Sequence, residues 1–154
     1  MIILAFYQLK RVQTLDTSLD QLWDFISDPH NLKLITPPYM GFDIMTEDQP
    51  KRMYAGMIIE YCVSPLLGIP TTWVTEITHL KDKSYFIDEQ RVGPYKLWHH
   101  QHLLKPVKEG VEMTDIVSYK PPLGVLGMLA NKLIIQMKLN EIFDHRSKVL
   151  KDQF

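Results

Sequence analysis

The chain has 154 residues and a mass of 18.0 kDa, the size of one ordinary domain, taken as 1–154. Its 45% hydrophobic and 23% charged residues suit a globule with a sizeable core. A net charge of -1, with the basic residues scattered in pairs such as Lys10-Arg11 and Lys51-Arg52, argues against a nucleic-acid partner, which needs a basic surplus on one face.

Cys62 is the single cysteine, so neither an intramolecular disulfide nor a Cys-rich zinc site can form. A reducing compartment follows, and a cytoplasmic location is expected. The apolar start, Met1 to Tyr7, has no basic region before it, and the apolar run Leu123 to Ala130 is far shorter than the ~20 residues that cross a bilayer. No transmembrane segment is expected.

In chain order, Ile2 to Leu15 alternates loosely and reads as a strand. Ser18 followed by Gln21 forms a capping-box pattern ahead of Leu19, Leu22, Phe25 and Ile26, which predicts a helix ending at Asp28-Pro29. A second short helix, Asn31 to Ile35, stops before Thr36-Pro37-Pro38. Six strands follow, over Phe42–Met45, Met57–Val63, Thr71–Leu80, Ser84–Val92, Lys96–Leu104 and Val111–Lys120. Short connectors such as Lys81-Asp82-Lys83 and Lys108-Glu109-Gly110 allow only antiparallel hairpins among the later ones. From about Gly124 to Lys151 no proline intervenes, and Leu126, Leu129, Leu133, Met137 and Ile142 recur at helical spacing as the expected buried stripe. Asn131, Lys132, Lys138, Asp144 and Lys148 would make the polar face. The class is α+β, with about seven antiparallel strands, two short helices after the first and a long helix at the end.

Residues two apart on a strand share a face. Phe86, Asp88 and Gln90 therefore go together, as do Trp98, His100 and His102, and Met113, Asp115, Val117 and Tyr119. If these faces look inward, they place two histidines and two aspartates among apolar side chains. Three roles remain open for His100, His102, Asp88 and Asp115. They form a buried polar network that satisfies itself, or they orient the polar end of an apolar ligand, or His100 or His102 with Asp115 works as a general acid/base pair. His-x-His on one strand could face an ion with a neighbouring Asp as third ligand, but no metal and no cofactor is expected, because a lone His-x-His is a weak signal and His99 points the other way. Trp73, Trp98, Tyr119, Met113 and Met137 are expected to supply lining. Two apolar loops, 64–70 and 121–127, read as the rim of a cavity or as the contact of a homodimer.

The element order resembles the START/Bet v 1-like (SRPBCC) helix-grip superfamily over essentially the whole chain. Locally the sequence is similar to a small bacterial subgroup sometimes labelled cell division inhibitor. The residues that carry this likeness are Phe86, Asp88 and Gln90; Gly93-Pro94-Tyr95; Trp98, His100 and His102; Met113, Asp115, Val117 and Tyr119; and the stretch Pro122 to Gly127. The resemblance implies a curved sheet gripping the last helix around a cavity for an apolar guest. The expected function is binding of a small hydrophobic or amphipathic molecule, such as a lipid. Other branches imply rival readings, an enzyme of cyclase, dehydratase or hydrolase type, or a co-chaperone-like interaction module.

Overall fold

The computed structural model describes residues 6–65 and 68–154; the expected strand residues Ile2 to Ala5, and Leu66 and Leu67 of the first apolar loop, lie outside them. Strand β1 (Tyr7–Leu15) leads into helix α1 (Leu19–Ile26). Ser18 caps α1 by accepting from the Gln21 amide while Gln21 reaches back to the Ser18 amide, so the capping box forms as its spacing implies. Two 3-10 turns follow, Pro29–Lys33 and Pro38–Met40; the first occupies the place of the expected Asn31–Ile35 helix. A proline at the start of each turn and Pro37-Pro38 after the first leave no room for an α-helical ladder.

Strands β2 (Phe42–Ile44), β3 (Ile58–Val63), β4 (Thr71–Lys81), β5 (Tyr85–Val92), β6 (Leu97–Val107) and β7 (Gly110–Lys120) complete one open sheet of seven strands, ordered β1-β7-β6-β5-β4-β3-β2 and antiparallel throughout. β6 runs on to Val107 through Pro106, three residues past its expected end. The proline is tolerated there because β5 pairs β6 only as far as Leu103, so its missing N–H falls on an unpaired side.

The chain ends in a helical rod made of α2 (Gly124–Ala130), a π-helical turn (Asn131–Ile135) and α3 (Gln136–Gln153). Rod and α1 cover the same face of the sheet. Leu22, Trp23 and Ile26 of α1 pack with Phe86, Met113, Val111 and the far end of the rod at Leu150. Val117 and Tyr119 pack under Ile135, Leu139 and Phe143. Each such fully buried apolar side chain stabilises the fold by ~1.5–3 kcal/mol.

The rod buries only the far end of the stripe expected of it: Ile142 packs inward and lines the cavity, and Val149 and Leu150, which extend the stripe, join the core. Leu126, Leu129, Leu133 and Met137 are all exposed, Met137 by 58%. The inward row is Gly127, Asn131, Ile135, Leu139, Phe143 and Leu150. Two apolar rows run along opposite sides of this helix, and periodicity alone does not say which one meets a sheet. Asn131, expected on the polar face, is buried at 1% exposure, where its Oδ1 accepts from the Tyr119 hydroxyl at 2.9 Å.

Candidate functional site

The faces carrying Phe86, Trp98 and Met113 do turn towards the rod, and the sheet register decides what meets on them. Asp88 lies opposite His100, and His102 lies opposite Asp115. The shortest contacts run on the diagonals: His100 Nε2 is 2.8 Å from Asp115 Oδ1, and His102 Nε2 is 2.8 Å from Asp88 Oδ2. The remaining ring nitrogens face the other carboxylates, His100 Nδ1 at 3.5 Å from Asp88 and His102 Nδ1 at 3.2 Å from Asp115. The result is a closed ring of alternating imidazole and carboxylate, with the two imidazoles 3.7 Å apart.

Burial and the ion pairs compete in setting the charges. Burial and the neighbouring His102 charge push His100 down to about 4, against the pull of both aspartates. Burial also lowers His102, but hydrogen bonds to Asp115 and Asp88 outweigh it and raise the group. Burial would raise Asp115, yet the hydrogen bonds from His100 and His102 hold it far below the usual carboxylate range. Asp88 follows the same logic: burial raises it, and the charges of His100 and His102 with the His102 hydrogen bond prevail. The arrangement therefore leaves His100 neutral and favours His102 as the imidazole that takes a proton.

Arg146 joins this ring from the rod, with Nη1 3.6 Å from Asp115 Oδ1 and the guanidinium 4.9 Å above the Phe143 ring. Two anionic aspartates, His102 in its charged form and Arg146 sum to zero. Asp88, His100 and His102 could hold a metal, since each turns a ligand atom to within 4.8 Å of the others. Those nitrogens already serve the carboxylates, however, and the Arg146 charge beside them opposes a cation.

Between sheet and rod lies a cavity of about 120 Å³. Trp73, Phe86, Asp88, Trp98, His100 and His102, all singled out from the sequence, line it. The other candidates sit elsewhere. Met113 is in the main core under α1, and Asp115 stands behind the histidines. Tyr119 holds Asn131, and Met137 is on the outer side of the rod. Gln90 grips the Gly93-Pro94-Tyr95 turn, donating to the Tyr95 carbonyl at 2.7 Å and accepting from its amide at 3.1 Å. That clamp brings Tyr95 into the cavity wall. Pro65 of the 64–70 loop also lines the cavity, whereas none of residues 121–127 does.

Sequence reasoning missed Tyr61, Leu139, Phe143 and Arg146, all part of the wall. A signal for Arg146 was present. It stands three residues after Phe143 and four before Leu150, on the row that the fold buries.

No protein-family model matches the chain, and no curated protein does. Solved structures do. Protein CV1439 from Chromobacterium violaceum superposes with a TM-score of 0.72 at 12% identity, over 94% of this chain and 95% of that one. TTHA0849 from Thermus thermophilus gives 0.70 at 16% identity, over 95% of both chains. Ginseng major latex-like protein 151 from Panax ginseng gives 0.69 at 12% identity, over 96% of this chain and 97% of that one. At such identities the likeness establishes the fold, a helix-grip α+β architecture. Among the described residues no helix is long and apolar enough to cross a membrane.

Proposed function

We propose that the chain, as one domain spanning 1–154 and working in the cytoplasm, binds a small hydrophobic or amphipathic molecule between its sheet and its C-terminal helix. The cavity carries this reading. At about 120 Å³, walled by Trp73, Trp98, Phe86, Phe42 and Phe143, it is of the order of the engineered ~150 Å³ apolar cavities that take up benzene. The ring of histidines and aspartates weighs towards binding over acid/base catalysis, because each imidazole is engaged through Nε2 by a carboxylate and, among the described residues, no nucleophile stands beside the ring.

Native mass spectrometry of protein purified from its own source tests the proposal, with a co-purifying small molecule expected. A panel of single-ring apolar probes should also quench the emission of Trp73 and Trp98. Ile142→Trp, which fills the cavity from the rod, should weaken such probes at least tenfold. Protein that carries nothing and binds no probe would refute a ligand-binding role.

A second reading is favoured by the apolar side chains that Ile69, Leu123, Leu126, Leu129 and Leu133 expose. They support a reading in which a second copy of the chain packs against the loops 64–70 and 121–127. Sedimentation equilibrium should then show a dimer that Leu129→Glu converts to monomer. A wild-type chain monomeric at every concentration rules this contact out.

A further inference from the structure

We propose that the guest is a small monocarboxylate, an acid whose apolar body is about one aromatic ring in size, and that Arg146 and Trp73 hold its carboxylate. This rests on the cavity being the binding site.

Buried side-chain atoms without a hydrogen-bond partner among the described residues are Trp23 Nε1, Gln49 Oε1, Trp73 Nε1, and Nε and Nη1 of Arg146. Trp73 and Arg146 line the cavity, one from the sheet and one from the rod; Trp23 and Gln49 do not. The fully buried unmatched side-chain atoms of the wall are thus all N–H donors.

Several polar groups of the same wall already have partners. Asp88 accepts from His102, Tyr61 pairs with Thr75 at 2.9 Å, and the Thr36 hydroxyl donates to the Leu32 carbonyl at 2.7 Å. A guest that fits must therefore bring acceptors, because a buried donor left unpaired costs ~1–3 kcal/mol, and more when it is charged.

Arg146 decides which acceptor. Its side chain is only 12% exposed, and the 3.6 Å gap to Asp115 is an ion pair too long for a hydrogen bond. Asp115 already serves both imidazoles. The guanidinium has Asp115 as its counter-charge, while its Nε and Nη1 make no hydrogen bond among the described residues. Hydrogen bonds between charged partners are roughly twice as strong as neutral ones, so on a given apolar body a carboxylate gains more here than an amide or a hydroxyl. Phe143 under the guanidinium keeps it in place without using any of its donors.

Titration calorimetry on the intact chain distinguishes the possibilities with three matched sets of probes: benzoate and 3-phenylpropionate, their primary amides, and ethylbenzene. The carboxylates should bind at least tenfold more tightly than the amides, and Arg146→Met should abolish that preference while leaving ethylbenzene bound. Retained ethylbenzene binding also shows that the variant is folded. Should the variant not fold, the wild-type comparison of acid with amide still decides. Amides or ethylbenzene binding the wild-type chain as tightly as the acids would overturn the carboxylate assignment and leave the cavity's role intact. Binding of none of the three sets would overturn both.

Discussion

At the scale of single residues, the ring of His100, His102, Asp88 and Asp115 makes stability depend on pH in a definite direction. His100 is held neutral with its value lowered to about 4, so the unfolded chain, whose imidazoles titrate near ~6.5, binds the extra proton between those values. That contribution is complete above ~6.5 and is lost as the pH falls towards 4. His102 is raised, so its contribution is complete below ~6.5 and is lost as the pH climbs through its folded value. Asp88 and Asp115 are lowered; theirs is present above ~3.9 and goes only in stronger acid. The melting temperature should therefore peak near pH ~6.5 and decline on both sides. His102→Gln should cost about 1–3 kcal/mol at pH 6 and flatten the alkaline limb. A wild-type melting profile that is level from pH 5 to 8 would contradict this picture.

At the scale of elements, the C-terminal rod is where local pattern and fold part company. Its expected stripe and its actual buried row are both apolar, and one turn is π-helical, closed by the Gln136 amide on the Asn131 carbonyl. Such a turn holds more residues than an α-turn and shifts the phase of everything beyond it. The start of the rod is set by close approach: a Cβ on Gly127 would fall on the Pro122 carbonyl. Gly127→Ala should therefore cost about 1–3 kcal/mol through forced backbone movement. That corresponds to roughly 3–10 °C in melting temperature, readable by differential scanning calorimetry. An unchanged melting temperature would show that the lead-in from Pro121-Pro122 gives way freely. By contrast, α1 needed nothing beyond its own residues to be foreseen, since Ser18, Gln21 and the apolar spacing behind them are local signals.

At the scale of the whole molecule, most of the architecture was legible. Short connectors forced hairpins, strand parity grouped Trp98, His100 and His102 with Asp88 and Asp115, and the absence of proline after Gly124 marked one long helix. Part of the candidate site was legible for the same reason, because a two-residue period assigns faces without knowing the partner strand. Trp73, Phe86, Asp88, Trp98, His100 and His102 reach the cavity. Four that share a face with them do not, because a face is long and a cavity covers only part of it: Met113 falls under α1, Asp115 behind the histidines, Tyr119 under Asn131, and Gln90 at the Tyr95 turn.

Size, near-neutral charge, the lone Cys62 and the order of β, short helices, strands and long helix follow from the residues alone, since each depends on composition or on neighbours a few positions apart. Which apolar row of the rod faces the sheet, the diagonal pairing of two histidines with two aspartates, and the arrival of Arg146 beside them were decided only by the tertiary structure. These depend on register between strands far apart in sequence and on how a rigid helix settles across them. The near-neutral charge met at the outset conceals, inside the molecule, a balanced set of buried ions facing a small apolar cavity.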